Sequence, residues 1–135
     1  ANRAFMARLE MVRIEAGRRM GLGDVAESVL PKPVLIGVPR RGGDLAVRYF
    51  TPHACHSSLA TTGAVSVAIA ATLPDSIVGT ALPDFQLPNT LTLEHPTGRM
   101  AVRVDRDSAT GQPIVFVMRT CRRLFEGAAL VRRTN

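Results

Sequence analysis

The sequence has no tryptophan, one tyrosine and only 4% aromatic residues. Proteins that grip single-stranded nucleic acid stack bases on aromatic faces, so this scarcity argues against such a surface despite a formal net charge of +6. Lysine is nearly missing as well. Lys32 is the only one, and the remaining cations are arginines that adjoin only at Arg18-Arg19, Arg40-Arg41, Arg122-Arg123 and Arg132-Arg133. That scatter suits a solvated surface, or attraction of a small polyanion, better than a nucleic-acid stripe.

Two cysteines, Cys55 and Cys121, make no disulfide framework, which points to a reducing cytoplasm. The longest apolar run, Leu59 to Leu73, is interrupted by Thr61, Thr62, Gly63, Ser66 and Thr72. It is too short for a bilayer and reads as a core helix, so no membrane partner is expected. No charged-then-apolar signal segment opens the chain. Glycines follow neither the phosphate-loop nor the dinucleotide pattern, and three His and two Cys show no metal-ligand spacing. Neither metal nor cofactor is expected.

With 135 residues and 46% hydrophobic content, the chain is the size of one domain with a real core. It opens with Ala-Asn-Arg-Ala-Phe, already helical in pattern, which suggests a piece of something longer. Residues 3–20 read as an amphipathic helix: Phe5, Leu9, Val12, Ala16 and Met20 recur at helical spacing, and Gly21 and Gly23 end it. Asp24 caps a short further turn, Pro31 and Pro33 stop it, and residues 34–38 are extended. Pro39 to Gly43 is a basic turn. Alternation predicts strands over 44–51, 77–81, 90–94, 100–105, 113–120 and 127–131, and His95-Pro96-Thr97-Gly98 closes a hairpin. The segment 58–73 is apolar on every side, which predicts an interior helix. Antiparallel strands curled around that buried helix, with an outer helix at the start, make the fold class α+β.

One corner carries most of the chemistry. The strand bearing Arg48 ends at Thr51, passes His56, and enters the apolar helix at Thr61-Thr62-Gly63. The first amides of a helix have no partner within it and sit at its positive end, so this corner suits a carboxylate or phosphate. Each residue also has a structural reading. Arg48 clamps a carboxylate or pairs with Asp44 or Glu94, and Gly63 admits a ligand or a packed sheet. Thr61, Thr62 and Thr51 offer hydroxyls, or cap a helix or turn. His56 binds, relays a proton or serves its turn, while His53 and His95 are weaker candidates. Cys55 beside His56 is a poor nucleophile pair, because neighbours in an extended stretch point to opposite sides.

The run Asp44-Leu-Ala-Val-Arg48 … Thr51 … His56 … Ala60-Thr-Thr62-Gly63-Ala64 resembles a signature of the PrpF family. That family comprises 2-methylaconitate cis–trans isomerases and 4-oxalomesaconate tautomerases with the diaminopimelate epimerase fold. Gly21-Leu-Gly before Pro31-Lys32, the His95–Gly98 turn and the closing stretch Arg119-Thr-Cys-Arg-Arg-Leu-Phe-Glu-Gly127 agree, so the likeness spans almost the whole chain.

The resemblance implies that residues 1–135 are a single domain, the C-terminal part of a two-domain isomerase whose active site lies between similar halves. It implies a small polycarboxylate substrate bound by Arg48, Thr51, His56, Thr61, Thr62 and Gly63. The catalytic residues would lie in a missing N-terminal half, so this piece alone would be inactive, and a homodimer is compatible. Lys32 and Cys55 match neither proton-transferring residue of the family. The chain departs from the pattern at Pro52-His53-Ala54 and at Ser57-Ser58. Ala60 stands where diaminopimelate epimerases carry a thiol, which argues against amino-acid racemisation. The implied function is an isomerase shifting a double bond in an unsaturated di- or tricarboxylic acid. The alternative is a non-catalytic small-anion binding domain.

Overall fold

A computed structural model describes residues 2–52 and 54–128. The elements run α1 (Arg3–Arg19), β1 (Val34–Gly37), β2 (Leu45–Thr51), β3 (Ala54–Cys55), α2 (Thr61–Ala71), α3 (Ile77–Ala81), β4 (Asn89–His95), β5 (Gly98–Arg106) and β6 (Pro113–Val117). The sheet has the order β1-β2-β4-β5-β6, with the short β3 paired to β2. This is an α+β arrangement.

The sheet is not purely antiparallel as expected. β2 and β4 pair in parallel, with Leu45 opposite Leu93 and Ala46 opposite Glu94. Parallel neighbours need a crossover, and the chain makes it through α2. The crossover leaves the C-terminal end of β2 and returns to β4 by way of α2 and α3.

α2 packs on the sheet face formed by Leu45, Val47, Tyr49, Leu91, Leu93, Val102 and Val104, against its own Ala64, Val67, Ala68 and Ala71. Small alanines let the helix approach closely. The helix is not covered on every side. Thr62, Ser66 and Ile69, at helical spacing, form an exposed stripe, because the described strands lie on one side of it.

Three further expectations change. Residues 77–81 form a short helix rather than a strand: the Ser76 hydroxyl accepts the Gly79 amide at 2.8 Å, and Thr80 N–H donates to the Ser76 carbonyl at 2.8 Å. A local cap outweighed the β-branched run. β6 ends at Val117, and 118–128 form no regular element. Of the strand expected over 127–131, residues 129–131 lie outside the described residues.

α1 also turns differently from its apolar stripe. Its buried residues are Arg13 and Gly17, whereas Val12 and Met20 are exposed and Phe5 reaches the Phe50 ring at 5.8 Å. The Arg13 guanidinium donates to the carbonyls of Val25 and Leu30, at 2.8 and 2.7 Å, and to both oxygens of Glu10. Those two carbonyls belong to the loop leading into β1. A buried arginine is tolerated because all three of its nitrogens donate, four bonds in total, and it fixes the course of residues 25–31.

Candidate functional site

β2 delivers the chain to the mouth of α2. Thr51 Oγ1 donates to the Ala54 carbonyl at 3.0 Å, closing the tight turn into β3, so this hydroxyl is occupied. His56 donates its backbone N–H to the Tyr49 carbonyl at 2.8 Å, and its Nδ1 accepts the Ser58 amide at 3.1 Å. That bond assigns Nδ1 as acceptor and leaves Nε2 free of this turn.

The loop is pinned from the other side. Thr97 Oγ1 donates to the Ser57 carbonyl at 3.0 Å and lies 3.3 Å from His95 Nδ1. Burial first, then the charges of Arg41 and Arg48, push the His95 pKa down, so this ring stays neutral. His95 thereby serves as a neutral strut for the loop.

At the mouth, Ala60 is the N-cap residue and supplies no side-chain hydrogen bond. Ala64 N–H donates to the Ala60 carbonyl at 2.9 Å, but among the described residues the amides of Thr61, Thr62 and Gly63 meet no acceptor. Arg119 reaches this turn, and its guanidinium donates to Thr61 Oγ1. Thr62 is exposed beside it. Gly63 faces the sheet: a Cβ there would stand 2.5 Å from Tyr49 Cε2, so the glycine lets α2 settle on the tyrosine ring. An open cleft of about 470 Å³ runs along this flank, bounded by Lys32, Tyr49, Thr62, Gly63 and Ser66, with Leu30 on its apolar wall.

Arg48 does not join this group. β2 alternation puts Val47 and Tyr49 against α2 and Arg48 on the opposite sheet face, opposite Leu35. Its guanidinium donates to the Val47 carbonyl at 2.8 Å and lines a separate cleft of about 590 Å³ with Arg40, Arg41 and Glu94. Neither Asp44 nor Glu94 pairs with it. Glu94 is buried and already taken by the backbone amides of Arg40 (2.8 Å), Arg41 (2.6 Å) and Gly43 (2.9 Å). Those bonds, the Arg40 amide foremost, hold its pKa below the ordinary value against the opposing effect of burial.

The structure thus brings Thr61, Thr62, Gly63 and His56 to one end of α2, turns Thr51 into its own hairpin, and removes Arg48 to the far face. Sequence reasoning passed over Arg119 and Lys32 as members of the corner. Their only signal was a place in the motif matches, since both are remote from 61–63 along the chain. Cys55 and Cys121 are exposed free thiols, and His53 lies outside the described residues. Among the described residues no group of three His, Cys, Asp or Glu could hold a metal ion, and no helix is long and apolar enough to cross a membrane.

A family model described as PrpF protein matches residues 1–132. The (4E)-oxalomesaconate Delta-isomerase of Novosphingobium sp. (strain KA1) is 39% identical over 97% of this chain and 37% of its own length. The 4-oxalomesaconate tautomerase of Pseudomonas putida is 38% identical over 98% of this chain and 37% of its own. A crystal structure of methylitaconate-delta-isomerase has the same fold, with a TM-score of 0.77 and 24% identity over 93% of this chain and 37% of that one. The chain therefore spans little more than a third of the length of the relatives it matches.

Proposed function

The chain belongs to the PrpF family, and on that premise we propose that it is the carboxylate-binding part of an isomerase acting on unsaturated di- or tricarboxylic acids. The substrate is of the 2-methylaconitate or 4-oxalomesaconate type, and the reaction moves a double bond and a proton without a cofactor. The fold is one half of a diaminopimelate epimerase-like pair. An N-terminal half supplies the proton-transferring groups, and the assembled enzyme works in the cytoplasm.

Moving the double bond requires loss of a proton from a carbon beside a carboxylate or keto group. Negative charge then collects on oxygen. Preorganised N–H donors aimed at that oxygen lower the barrier, because they need no reorganisation as charge develops. The amides of Thr61, Thr62 and Gly63 have that character, the Thr62 hydroxyl adds a donor, and Arg119 replaces Arg48 as the nearby cation. The observation that carries this reading is the uncapped first turn of α2 with a guanidinium beside it. Removing the proton is a separate task for a base, which this proposal assigns to the other half.

The test is to coexpress this chain with the N-terminal half of a family member and follow isomerisation of 4-oxalomesaconate and 2-methylaconitate. Turnover by the pair and none by either part is the expected result. Carboxylate binding without turnover of any such acid would leave only an anion-binding domain.

A further inference from the structure

Lys32 lines the cleft beside α2. It is the sole lysine, flanked by Pro31 and Pro33, whose rings restrict the backbone on both sides. Its Nζ lies 5.8 Å from the centroid of the Tyr49 ring, within reach of a cation–π attraction. The same ring is the floor on which Gly63 rests. One aromatic plate therefore carries both an ammonium and the open end of a helix. Lys32 is half-buried, and among the described residues no carboxylate pairs with it. Held over the ring and with no paired carboxylate among the described residues, the ammonium can take an anionic partner through a charge-assisted bond.

We infer that Lys32 is a substrate-binding residue that holds a second carboxylate, across the Tyr49 ring from the carboxylate at the α2 amides, so that the cleft selects dicarboxylates over monocarboxylates. This rests on the reading of the α2 mouth as a carboxylate site. The lining of the same cleft includes the apolar side chains of Leu22, Leu30 and Val34. It suits the hydrocarbon part of an unsaturated diacid. Arg13, by gripping the Val25 and Leu30 carbonyls, keeps that lining and the approach to Lys32 in place. Lys32 takes no part in proton transfer in this scheme.

The experiment titrates the chain with mesaconate, an unsaturated dicarboxylate, and with crotonate, a monocarboxylate. Affinity is read by calorimetry, and the Thr61–Gly63 amides are followed by NMR. Both acids should shift those amides, with mesaconate bound about tenfold more tightly, the size expected of one charge-assisted contact. Lys32→Gln should bring mesaconate down to the level of crotonate, and Lys32→Arg should restore most of the preference. Arg103→Gln removes the same charge from the opposite sheet face and should leave the preference intact. A preference that survives Lys32→Gln, or falls equally with Arg103→Gln, overturns the role of Lys32 while the carboxylate site stands. If neither acid shifts the amides, the site itself fails and Lys32 with it.

Discussion

The loop at 39–43 and the first turn of α2 both aim several backbone N–H groups at one point, and they use them in opposite ways. In the loop, three amides close on Glu94, a carboxylate from the same chain that is only 2% exposed. In α2, the N-cap position is alanine, and the first amides are left open beside Arg119. Burying a carboxylate is costly, and the charge-assisted bonds offset that cost. The filled ring is therefore a structural joint between the β1–β2 loop and β4. The open turn contributes nothing of that kind to stability, and it is available for an outside anion. Among the described residues one amide cluster is filled by the chain's own acid and the other meets no acceptor, and it is the second that is proposed above to hold a carboxylate.

Emptying the joint should have the largest effect. Glu94→Gln keeps the size but removes the charge and turns an amide group toward three donors, so it should destabilise more than any other change named here, by urea denaturation. Acid should reproduce this in the parent protein. The folded pKa of Glu94 lies below its ordinary value of 4.5, so its contribution is complete above that value and is lost as pH falls through the lowered one. Stability measured from pH 6 downward should therefore drop below about pH 4.5, and Glu94→Gln should flatten that limb. It should not abolish it, because Glu15 is also lowered, to about 2, by Arg18 and then Arg19, and Asp105 and Asp107 are lowered as well. An unchanged acid limb would mean that the ring does not hold Glu94 as a charge.

Next comes the floor of the open turn. Gly63→Ala pushes a methyl group into the Tyr49 ring and should cost roughly 1–3 kcal/mol by overpacking, read from the same denaturation curves. A neutral result would show that the helix can lift off the ring freely.

A smaller change converts one kind of site into the other. Ala60→Asp offers α2 a carboxylate cap of its own and should raise stability by about 1 kcal/mol. The same substitution should weaken the binding of mesaconate, because the added acid competes for the same amides. Stabilisation with unaltered binding would place the ligand somewhere else. The smallest effect is expected at Arg48. Arg48→Ala should alter stability by under about 0.5 kcal/mol and leave mesaconate affinity unchanged, since the side chain belongs to the far face.

Much of this architecture could be read from alternation. Leu45, Val47 and Tyr49 mark one face of β2, and 90–94 and 100–105 mark the β4–β5 hairpin, because a half-covered strand must alternate. The same alternation already separated Arg48 from Tyr49. What alternation does not show is which face α2 covers, and that decides on which side of the sheet Arg48 stands. The parallel pairing of β2 with β4 was also hidden, since a side-chain pattern does not name its partner strand. Residues 77–81 misled because one serine cap decided a five-residue segment. The α1 stripe misled because a single buried guanidinium set the helix's rotation. At the site, the glycine and threonines were visible as a helix start. Lys32 and Arg119 were not, because contacts between residues far apart in sequence leave no local signal. The Glu94 ring was hidden for the same reason, joining residues 51 to 54 positions apart.

The ring around Glu94 also sets how freely its sequence can drift. Its donors are main-chain groups, so the Arg40 side chain is irrelevant to the grip, while Gly42 sits at φ 77° and Gly43 has Glu94 Cγ 2.6 Å from where a methyl would go. In a library randomised at 40, 42, 43 and 94 and sorted for soluble folded protein, survivors should carry almost anything at the first position, glycine at the next two and glutamate at the last. Such a mixture of indifference and strictness within a few residues would be the imprint of main-chain donors closing on one carboxylate.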